Sequence, residues 1–408
     1  MTAREYPVFT VTPKAERSLR AGHPWVYGEE VTAVEGAYQN GDMVDVVSNK
    51  GRYLGTGWVN DHSKIRVRII SRNANDTFDE AFFRRRVCYA LNYRKTVMGP
   101  VDYRCCRLIF GEADQFPGLT VDRFENILVT QVLSLGMERR KDWVYRVLVE
   151  LLREDGEQID AIYERNDVAI RTLEGLEQGK GFYQMEGLKT DLSGHVTITE
   201  NRIKYDVDYM EGQKTGFFLD QKYNRQAAAK LARGRRVLDC FTHTGAFALN
   251  AAAAGAEHVT AVDVSAFALE LAAENGKRNG LTNLDYKCAD VFDLLTEMAK
   301  EKKCDYDYII LDPPAFTKSR ATAKNAYHGY KEINRKAMRL LPRGGYLATC
   351  SCSHFMTDEM FRKMLQEAAL DAGVTLRQIE ARQQAPDHPI LPEVPETDYL
   401  KFYLLQVV

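Results

Sequence analysis

From about residue 196 onward the chain alternates short apolar runs with helical patterns, and nothing else in the sequence restricts its fold so strongly. "RRVLDCF" reads as a buried strand, "GAFALNAAAAGA" as a helix closed by Gly255, and "VTAVDVS" as a second strand followed by the helix "AFALELAAENGKRNG". "DYDYIILDPP", the helix "YKEINRKAMRLL" and the strand "GGYLATCS" continue the alternation, and "TDYLKFYLLQVV" is a last strand with no helix after it. Strands joined through helices form right-handed βαβ units, so these residues predict an α/β domain with a doubly wound sheet.

The residues before it follow other rhythms. Residues 1–72 hold four short strand patterns, "YPVFTVT", "DMVDVVSN", "RYLGTGWVN" and "KIRVRIIS", separated by glycines and polar turns as in a small barrel. "DEAFFRRRVCYALNYRKTV" has helical spacing and a basic face that reads as solvated. "CCRLIFGEADQFPGLTVDRFENILVTQVLS" predicts hairpins, "RKDWVYRVLVELLRED" an amphipathic helix, and "IDAIYERNDVAIRTLE" two further strands. The expected domains are 1–75, a β-barrel; 76–195, an α+β domain; and 196–408, the α/β domain.

Ligands of such sheets lie beyond the carboxyl ends of the strands, near the switch point. The loop after the first strand of the α/β domain is "DCFTHTGAF", Asp239 to Phe247. A dinucleotide fingerprint needs three glycines to admit a pyrophosphate, whereas only Gly245 is present and Asp239 would repel a phosphate. A nicotinamide cofactor is therefore disfavoured. The loop suits a ligand with a ribose and a positive charge but no phosphate. Gly245 permits close backbone approach and Asp239 offers a carboxylate. Asp263, ending the second strand, can hold ribose hydroxyls, and Asp290 in "CADVF" can meet an adenine amino group. Each acid alone is commonly a helix cap or a turn residue, but three at successive strand ends describe an S-adenosylmethionine site.

"EGQKTGFFLDQKYNR", "VLDCFTHTGAFALNAAAAGA", "AVDVS", "LDPPAF" and "TCSCS" closely resemble the bacterial ribosomal RNA large-subunit methyltransferase I family, and the likeness covers nearly the whole chain. The resemblance implies an S-adenosylmethionine-dependent 23S rRNA cytosine-5 methyltransferase. It implies the class I methyltransferase strand order, Rossmann-like and with the last strand antiparallel, and a homodimer. "KAERSLRAGHPWVY" resembles that family's PUA-like RNA-binding barrel, and "FGEADQFPGLTVDRF" with "YERNDVAIRTLEGL" its middle domain. By the same likeness "KTGFFLDQKYNR" closes over the cofactor, with Phe217 packing near it and Asp220 and Arg225 anchoring the loop by hydrogen bonds. Phe241 and Thr242 line the cofactor beside Asp239. Simple core packing is the competing role for Phe217.

The chemistry turns on two motifs. In "LDPPAF" two prolines fix φ and remove two backbone donors, so that Pro313 and Pro314 hold the chain extended against a substrate base while Asp312 faces the cofactor's methyl region. Amino-group methyltransferases place an aromatic residue directly after a similar turn. Here Ala315 precedes Phe316, which weakens that reading without removing it. In "TCSCS", Cys350 and Cys352 stand one residue apart at a strand end. Carbon 5 of cytosine is a poor nucleophile, and a thiolate added at carbon 6 makes it enamine-like. Such chemistry needs a cysteine across the base from the methyl donor and an acid, here Asp312, on the ring nitrogen. It also needs an unstacked base. RNA cytosine-5 methyltransferases more broadly place the nucleophile seven residues past a Gly-Gly pair. Counting from Gly345 reaches Cys352, while Cys350 lies deeper and reads as packing.

Zinc is disfavoured because one-residue cysteine spacing does not make a knuckle, and a strand points the two thiols alike, against a disulfide. His243 reads as a loop bystander. "GHPWVY" and the basic strand around Arg66 and Arg68 are candidate RNA contacts, and Trp25 a core anchor. Residues 1–107 carry 17 Lys and Arg against 12 Asp and Glu, a basic front end on an acidic remainder. No apolar run approaches the ~20 residues of a membrane span, no secretory signal is evident, and eight cysteines in 408 residues suit a reducing cytoplasm. Two other functions compete: methylation of an amino or ring nitrogen of an rRNA base, and RNA binding by a chain that has lost activity.

Overall fold

The computed structural model describes residues 5–301, 304–317 and 319–408, so the first four residues of the expected barrel domain lie outside it. The chain divides into two compact units. The first comprises Met1–Ile198, Val207–Leu219 and Pro386–Thr397, and the second Thr199–Asp206, Asp220–Ala385 and Asp398–Val408.

The first unit opens with β1 (Val8–Val11), α1 (Pro13–Arg20), β2 (Trp25–Tyr27), β3 (Val31–Glu35), β4 (Met43–Ser48), β5 (Tyr53–Val59) and β6 (Ile65–Ser71). Its sheet runs β2-β6-β5-β4-β1-β3. Alternation drives the packing: Phe9, Val11, Val44, Val46, Val59, Val67 and Ile69 close one core. Thr12 caps α1 by accepting from the Ala15 amide, with Pro13 at the first helical position.

Next come α2 (Glu80–Val97), β7 (Cys105–Phe110), β8 (Leu119–Phe124), β9 (Ile127–Val132), α3 (Leu135–Glu138), α4 (Lys141–Glu154), β10 (Ala161–Arg165) and β11 (Lys180–Phe182). They build a second sheet ordered β11-β10-β9-β8-β7. One expectation fails here. "NDVAIRTLE" is not a strand: Ala169–Glu174 is a 3-10 helix. Its three-residue repeat turns Arg171 and Glu174 inward and leaves Ile170 and Leu173 exposed. Arg171 bonds Glu138, while Glu174 accepts from Arg68 and Asn60. Two polar partnerships outweigh the apolar pattern.

The hairpin β12 (His195–Glu200) and β13 (Ile203–Asp208) leads to α5 (Lys222–Ala229), β14 (Arg236–Cys240), α6 (Ala246–Ala253), β15 (His258–Asp263), α7 (Ala266–Arg278), β16 (Leu284–Cys288) and α8 (Val291–Glu301). The second unit ends with β17 (Tyr308–Leu311), α9 (Ala323–Leu340), β18 (Tyr346–Ser351), α10 (Asp358–Ala372), β19 (Leu376–Arg382) and β20 (Lys401–Val407). The sheet runs β16-β15-β14-β17-β18-β20-β19, parallel except where β20 pairs antiparallel with both neighbours. The doubly wound sheet with a reversed last strand is thus present. β19 is an element the sequence reading passed over, because "TLRQIEARQQ" forms an exposed edge with only Leu376, Ile379 and Ala381 apolar. Two cores flank the sheet: Leu238, Ile309, Leu311, Leu347 and Phe361 on one face, and Val237, Ile310, Ala348, Cys350 and Phe402 on the other. Among the described residues no helix is long and apolar enough to cross a membrane.

Candidate active site

Strand order reverses between β14 and β17, which pair in parallel so that Cys240 lies opposite Leu311. The loops leaving these two strands therefore open side by side, at the place where a doubly wound sheet receives its ligand.

The loop after β14 is tightly wound. Phe241 and His243 both adopt left-handed φ, at 64° and 50°, and Gly245 follows at 84°. Non-glycine residues there cost about 1–2 kcal/mol each, a strain that clusters at functional sites. Gly245 has a packing role besides the close ligand approach expected of it. A Cβ there would lie 3.0 Å from the Ala272 methyl carbon and 3.3 Å from Leu249, so its absence serves the contact of α6 with α7 as well as the positive φ. Thr242 is tied down through its amide to the Val262 carbonyl and through its hydroxyl to Asp239.

Asp239 is fully buried. Its Oδ2 accepts from the Thr242 hydroxyl at 2.6 Å and the Ala248 amide at 2.9 Å, whereas Oδ1 has no hydrogen-bond partner. Burial pushes its pKa up to about 7, with Asp312 and Asp263 adding like charge against the hydrogen bonds of Thr242 and Ala248. A buried carboxylate oxygen left without a donor costs about 1–3 kcal/mol, and a cationic group of a bound ligand would relieve it. That orphaned oxygen is the point at which the chain fits S-adenosylmethionine.

Asp263 holds its place through the His243 amide on Oδ2 and the Ser265 amide on Oδ1, both at 2.9 Å. Its carboxylate is half-buried, with lone pairs to spare for ribose hydroxyls. Asp290 follows β16 and accepts from the amides of Phe292 and Asp293, capping α8. It is exposed. The capping bonds both fall on Oδ1. His243 is driven toward its neutral form by burial, against the charge of Asp263.

After β17, Asp312 takes two hydrogen bonds on one oxygen: from Cys350 Sγ at 2.8 Å and from Gln221 Nε2 at 3.1 Å. Gln221 also reaches Cys350 Sγ at 3.4 Å and is itself held by Asn224, whose amide donates to Oε1 at 2.7 Å. Burial raises the Asp312 pKa, the Cys350 hydrogen bond opposes it, and the charge of Asp220 adds to it. The Cys350 thiol is pushed far up by burial and by the neighbouring Asp312 charge, so it stays protonated and serves as donor. Cys350 is 1% exposed, and Cys352, just past the end of β18, is half-buried with its sulfur 4.0 Å from the Pro313 carbonyl. The two thiols are thus in different surroundings despite their spacing, because the strand ends between them. Both are free.

Pro313 is buried and Pro314 exposed. Phe316 packs with Tyr330 at 4.5 Å between centroids, Phe292 at 5.8 Å and Phe241 at 6.5 Å. Its ring closes an aromatic cluster beneath the turn. Asp220 accepts from the Tyr399 hydroxyl at 2.7 Å, and its carbonyl accepts from the Ala385 amide. Arg225 is buried and bidentate to Glu200 at 2.7 and 3.0 Å, so its guanidinium is committed within the protein. Phe217 is buried and belongs to the first unit. Gln221 was missed from sequence, although it stands directly beside Asp220 in the quoted "LDQKYNR" run.

Of the basic pair expected to meet RNA, the structure turns Arg68 away from solvent. Arg68 is buried and paired with Glu174 at 2.6 Å, and Arg66 is paired with Asp61. Trp25 is half-buried and bonds Glu112 through its indole N–H at 3.0 Å, while Trp58 is the fully buried tryptophan. Strand alternation placed Arg66 and Arg68 on one face correctly but could not show that Glu174, over 100 residues on, meets one of them.

Comparison with known proteins agrees with this geometry. A family model of PUA-like domains matches residues 9–72, and one of S-adenosylmethionine-dependent methyltransferases matches residues 183–405. A ribosomal RNA large subunit methyltransferase I of Pseudoalteromonas atlantica is 40% identical over 98% of this chain and 99% of its own. A protein of the same description from Shewanella amazonensis is 42% identical over 97% and 98%. Among solved structures, an S-adenosylmethionine-dependent methyltransferase from Streptococcus mutans aligns with a TM-score of 0.81 at 22% identity, over 98% of this chain and all of that one. A second structure, described as a methyltransferase complexed with S-adenosylhomocysteine, aligns at 0.82 and 21% over the same shares. These two speak for the fold. The chain belongs to the ribosomal RNA large subunit methyltransferase I family of S-adenosylmethionine-dependent RNA methyltransferases.

Proposed function

We propose that this chain methylates carbon 5 of a cytosine in 23S rRNA, with Cys352 as the nucleophile and Asp312 as the acid. The observation that carries the reading is the division of labour between the two thiols. Cys350 is buried and keeps its proton in a hydrogen bond donated to Asp312, which removes it from nucleophilic duty, while Cys352 stands past the strand end beside the Pro313 carbonyl.

S-adenosylmethionine, when bound, supplies an electrophilic methyl carbon on a sulfonium. Asp239, Asp263 and Asp290 would hold its charged and hydroxylated parts at the three strand ends. The protein's own steps concern the base. The Cys352 thiolate adds to carbon 6 as the ring nitrogen takes a hydrogen bond or proton from Asp312, which makes carbon 5 nucleophilic. The raised Asp312 pKa suits an acid, and Gln221 with Cys350 orients the carboxyl. After carbon 5 is methylated, its proton leaves to a base or water. The electron pair expels the Cys352 thiolate, and the double bond is restored. The pyrimidine must be unstacked to present both faces, and the Pro313–Pro314 turn keeps backbone donors out of its way.

Nucleoside mass analysis of large-subunit rRNA treated with S-adenosylmethionine tests the reading. The native chain should produce 5-methylcytidine and Cys352→Ala none, while Cys350→Ala retains measurable product at a reduced rate. Methylation that survives loss of Cys352, or that appears on an amino group, would replace the covalent mechanism with one centred on the Asp312-Pro313-Pro314 turn.

A further inference from the structure

Lys401 opens β20, opposite Ser351 in the antiparallel register with β18. It is 4% exposed, and its ammonium donates to the carbonyls of Ser353 at 2.6 Å and Tyr399 at 2.8 Å. Among the described residues no carboxylate lies within ion-pair distance of it. Elsewhere in the second unit a buried cation is treated differently: Arg225 is met by both oxygens of Glu200. A buried ammonium with only neutral acceptors is costly, and such a group persists where an anion is available to it.

The charged and titratable groups that act on Lys401 are, largest first, Asp398 on its own segment, Cys352 just past β18, Asp358 at the start of α10 and Cys350 within β18. Asp398 lies beyond ion-pair distance of the ammonium and accepts from the Gln383 amide at 3.4 Å, and Asp358 is already engaged by Arg362 and the Tyr403 hydroxyl. Cys350 is held protonated by Asp312. Cys352 is bonded through the chain to the carbonyl that Lys401 grips, since that carbonyl belongs to the very next residue. We propose that Lys401 is a positioning residue for the methyl-transfer reaction: it fixes the segment carrying Cys352 and provides the positive charge that favours the Cys352 thiolate. This rests on the reading of Cys352 as nucleophile. Burial lowers the Lys401 pKa to about 8, with the Asp398 and Cys352 charges opposing it, so the ammonium persists at neutral pH and is lost above about pH 8.

The test is the pH dependence of iodoacetamide alkylation of the full chain, followed cysteine by cysteine by peptide mass spectrometry. In the native protein Cys352 should become reactive at lower pH than the exposed Cys288, which serves as a reference in the same sample. In Lys401→Met the Cys352 midpoint should rise by about one pH unit, and Lys401→Arg should restore it. Lys401→Gln, which keeps an N–H donor for the carbonyls without the charge, should behave like Lys401→Met if the charge matters. It also serves as the neutral variant should Lys401→Met fail to fold. A native Cys352 that reacts no earlier than Cys288, or folded neutral variants with an unmoved midpoint, would overturn the proposal and leave Lys401 a structural anchor. Trapping on 5-fluorocytidine RNA tells this failure apart: loss of the Lys401 effect with adduct still dependent on Cys352 leaves the nucleophile in place, whereas no Cys352 dependence removes the underlying reading.

Discussion

The first unit and the strand ends of the second handle buried charge differently. In the first, Arg94 pairs with Asp114 at 2.5 Å, Arg107 with Asp122 at 2.7 Å and Arg68 with Glu174 at 2.6 Å. These are bidentate or network contacts between groups taken out of water together, and they tie sheets, helices and the returning 386–397 segment into one body. Arg94, for instance, also donates to the Asp387 carbonyl. In the second unit Arg225 and Glu200 follow that pattern, but around the ends of β14, β17 and β18 the pattern breaks. Asp239 keeps an orphaned oxygen, Asp312 is held by a thiol and an amide instead of a cation, and Lys401 meets only carbonyls. Completed pairs mark where charge holds structure. On the proposed mechanism, incomplete ones mark where a ligand, a base or a thiolate would complete the set.

The largest effect that could break this contrast is expected at Asp312. Asp312→Asn should lower kcat by about 10²–10⁴-fold with the chain folded, measured by methyl transfer to rRNA. Native kcat should fall as pH rises through the raised Asp312 pKa, because the protonated carboxyl is the form that donates. A modest loss with an unchanged profile would make Asp312 a mere scaffold.

Next is a paired arginine of the first unit. Arg94→Met should destabilise the protein by about 3–5 kcal/mol, read from denaturant unfolding, since Asp114 is left buried without its cation. Methyl transfer per folded molecule should be retained. Full stability with lost activity would reverse the assignment of that pair to structure.

Asp239 gives a sign that a structural acid would not. Its pKa is raised from 3.8 to about 7, so the folded state favours the protonated form. The stability this contributes is complete below pH 3.8 and lost as pH rises through about 7. The ligand-free Asp239→Asn variant should therefore be more stable than the native chain at pH 8, by on the order of a few kcal/mol. The advantage should shrink toward acid pH, and S-adenosylmethionine should bind more weakly. A variant destabilised at pH 8 would mean that the carboxylate is already satisfied within the protein.

The smallest effect belongs to Arg84 on α2, whose partners Glu150 and Glu154 are exposed. Arg84→Ala should leave both the unfolding midpoint and activity unchanged, because water screens such pairs.

How much of this was legible in the sequence follows from the range of each interaction. The βα alternation, the acids at Asp239, Asp263 and Asp290, and the Asp312-Pro313-Pro314 turn are local patterns, and each lies at a strand end as expected. The spacing of Cys350 and Cys352 was legible, but not the difference in their surroundings, which depends on Asp312 and Gln221 arriving from other loops. Lys401 reads as one polar residue in a strand pattern, and only the register with β18 brings it to Ser353. The 3-10 helix at 169–174 escaped because its polar anchors, Glu138 and Arg68, come from distant segments.

The most direct test of the central claim is covalent trapping on 23S rRNA carrying 5-fluorocytidine, where carbon 5 cannot release fluorine as it would a proton and the adduct persists. With S-adenosylmethionine present, the native chain and Cys350→Ser should each form an RNA–protein adduct that survives denaturing electrophoresis, and Cys352→Ser should form none. An adduct that persists without Cys352, or depends on Cys350 instead, would contradict the account.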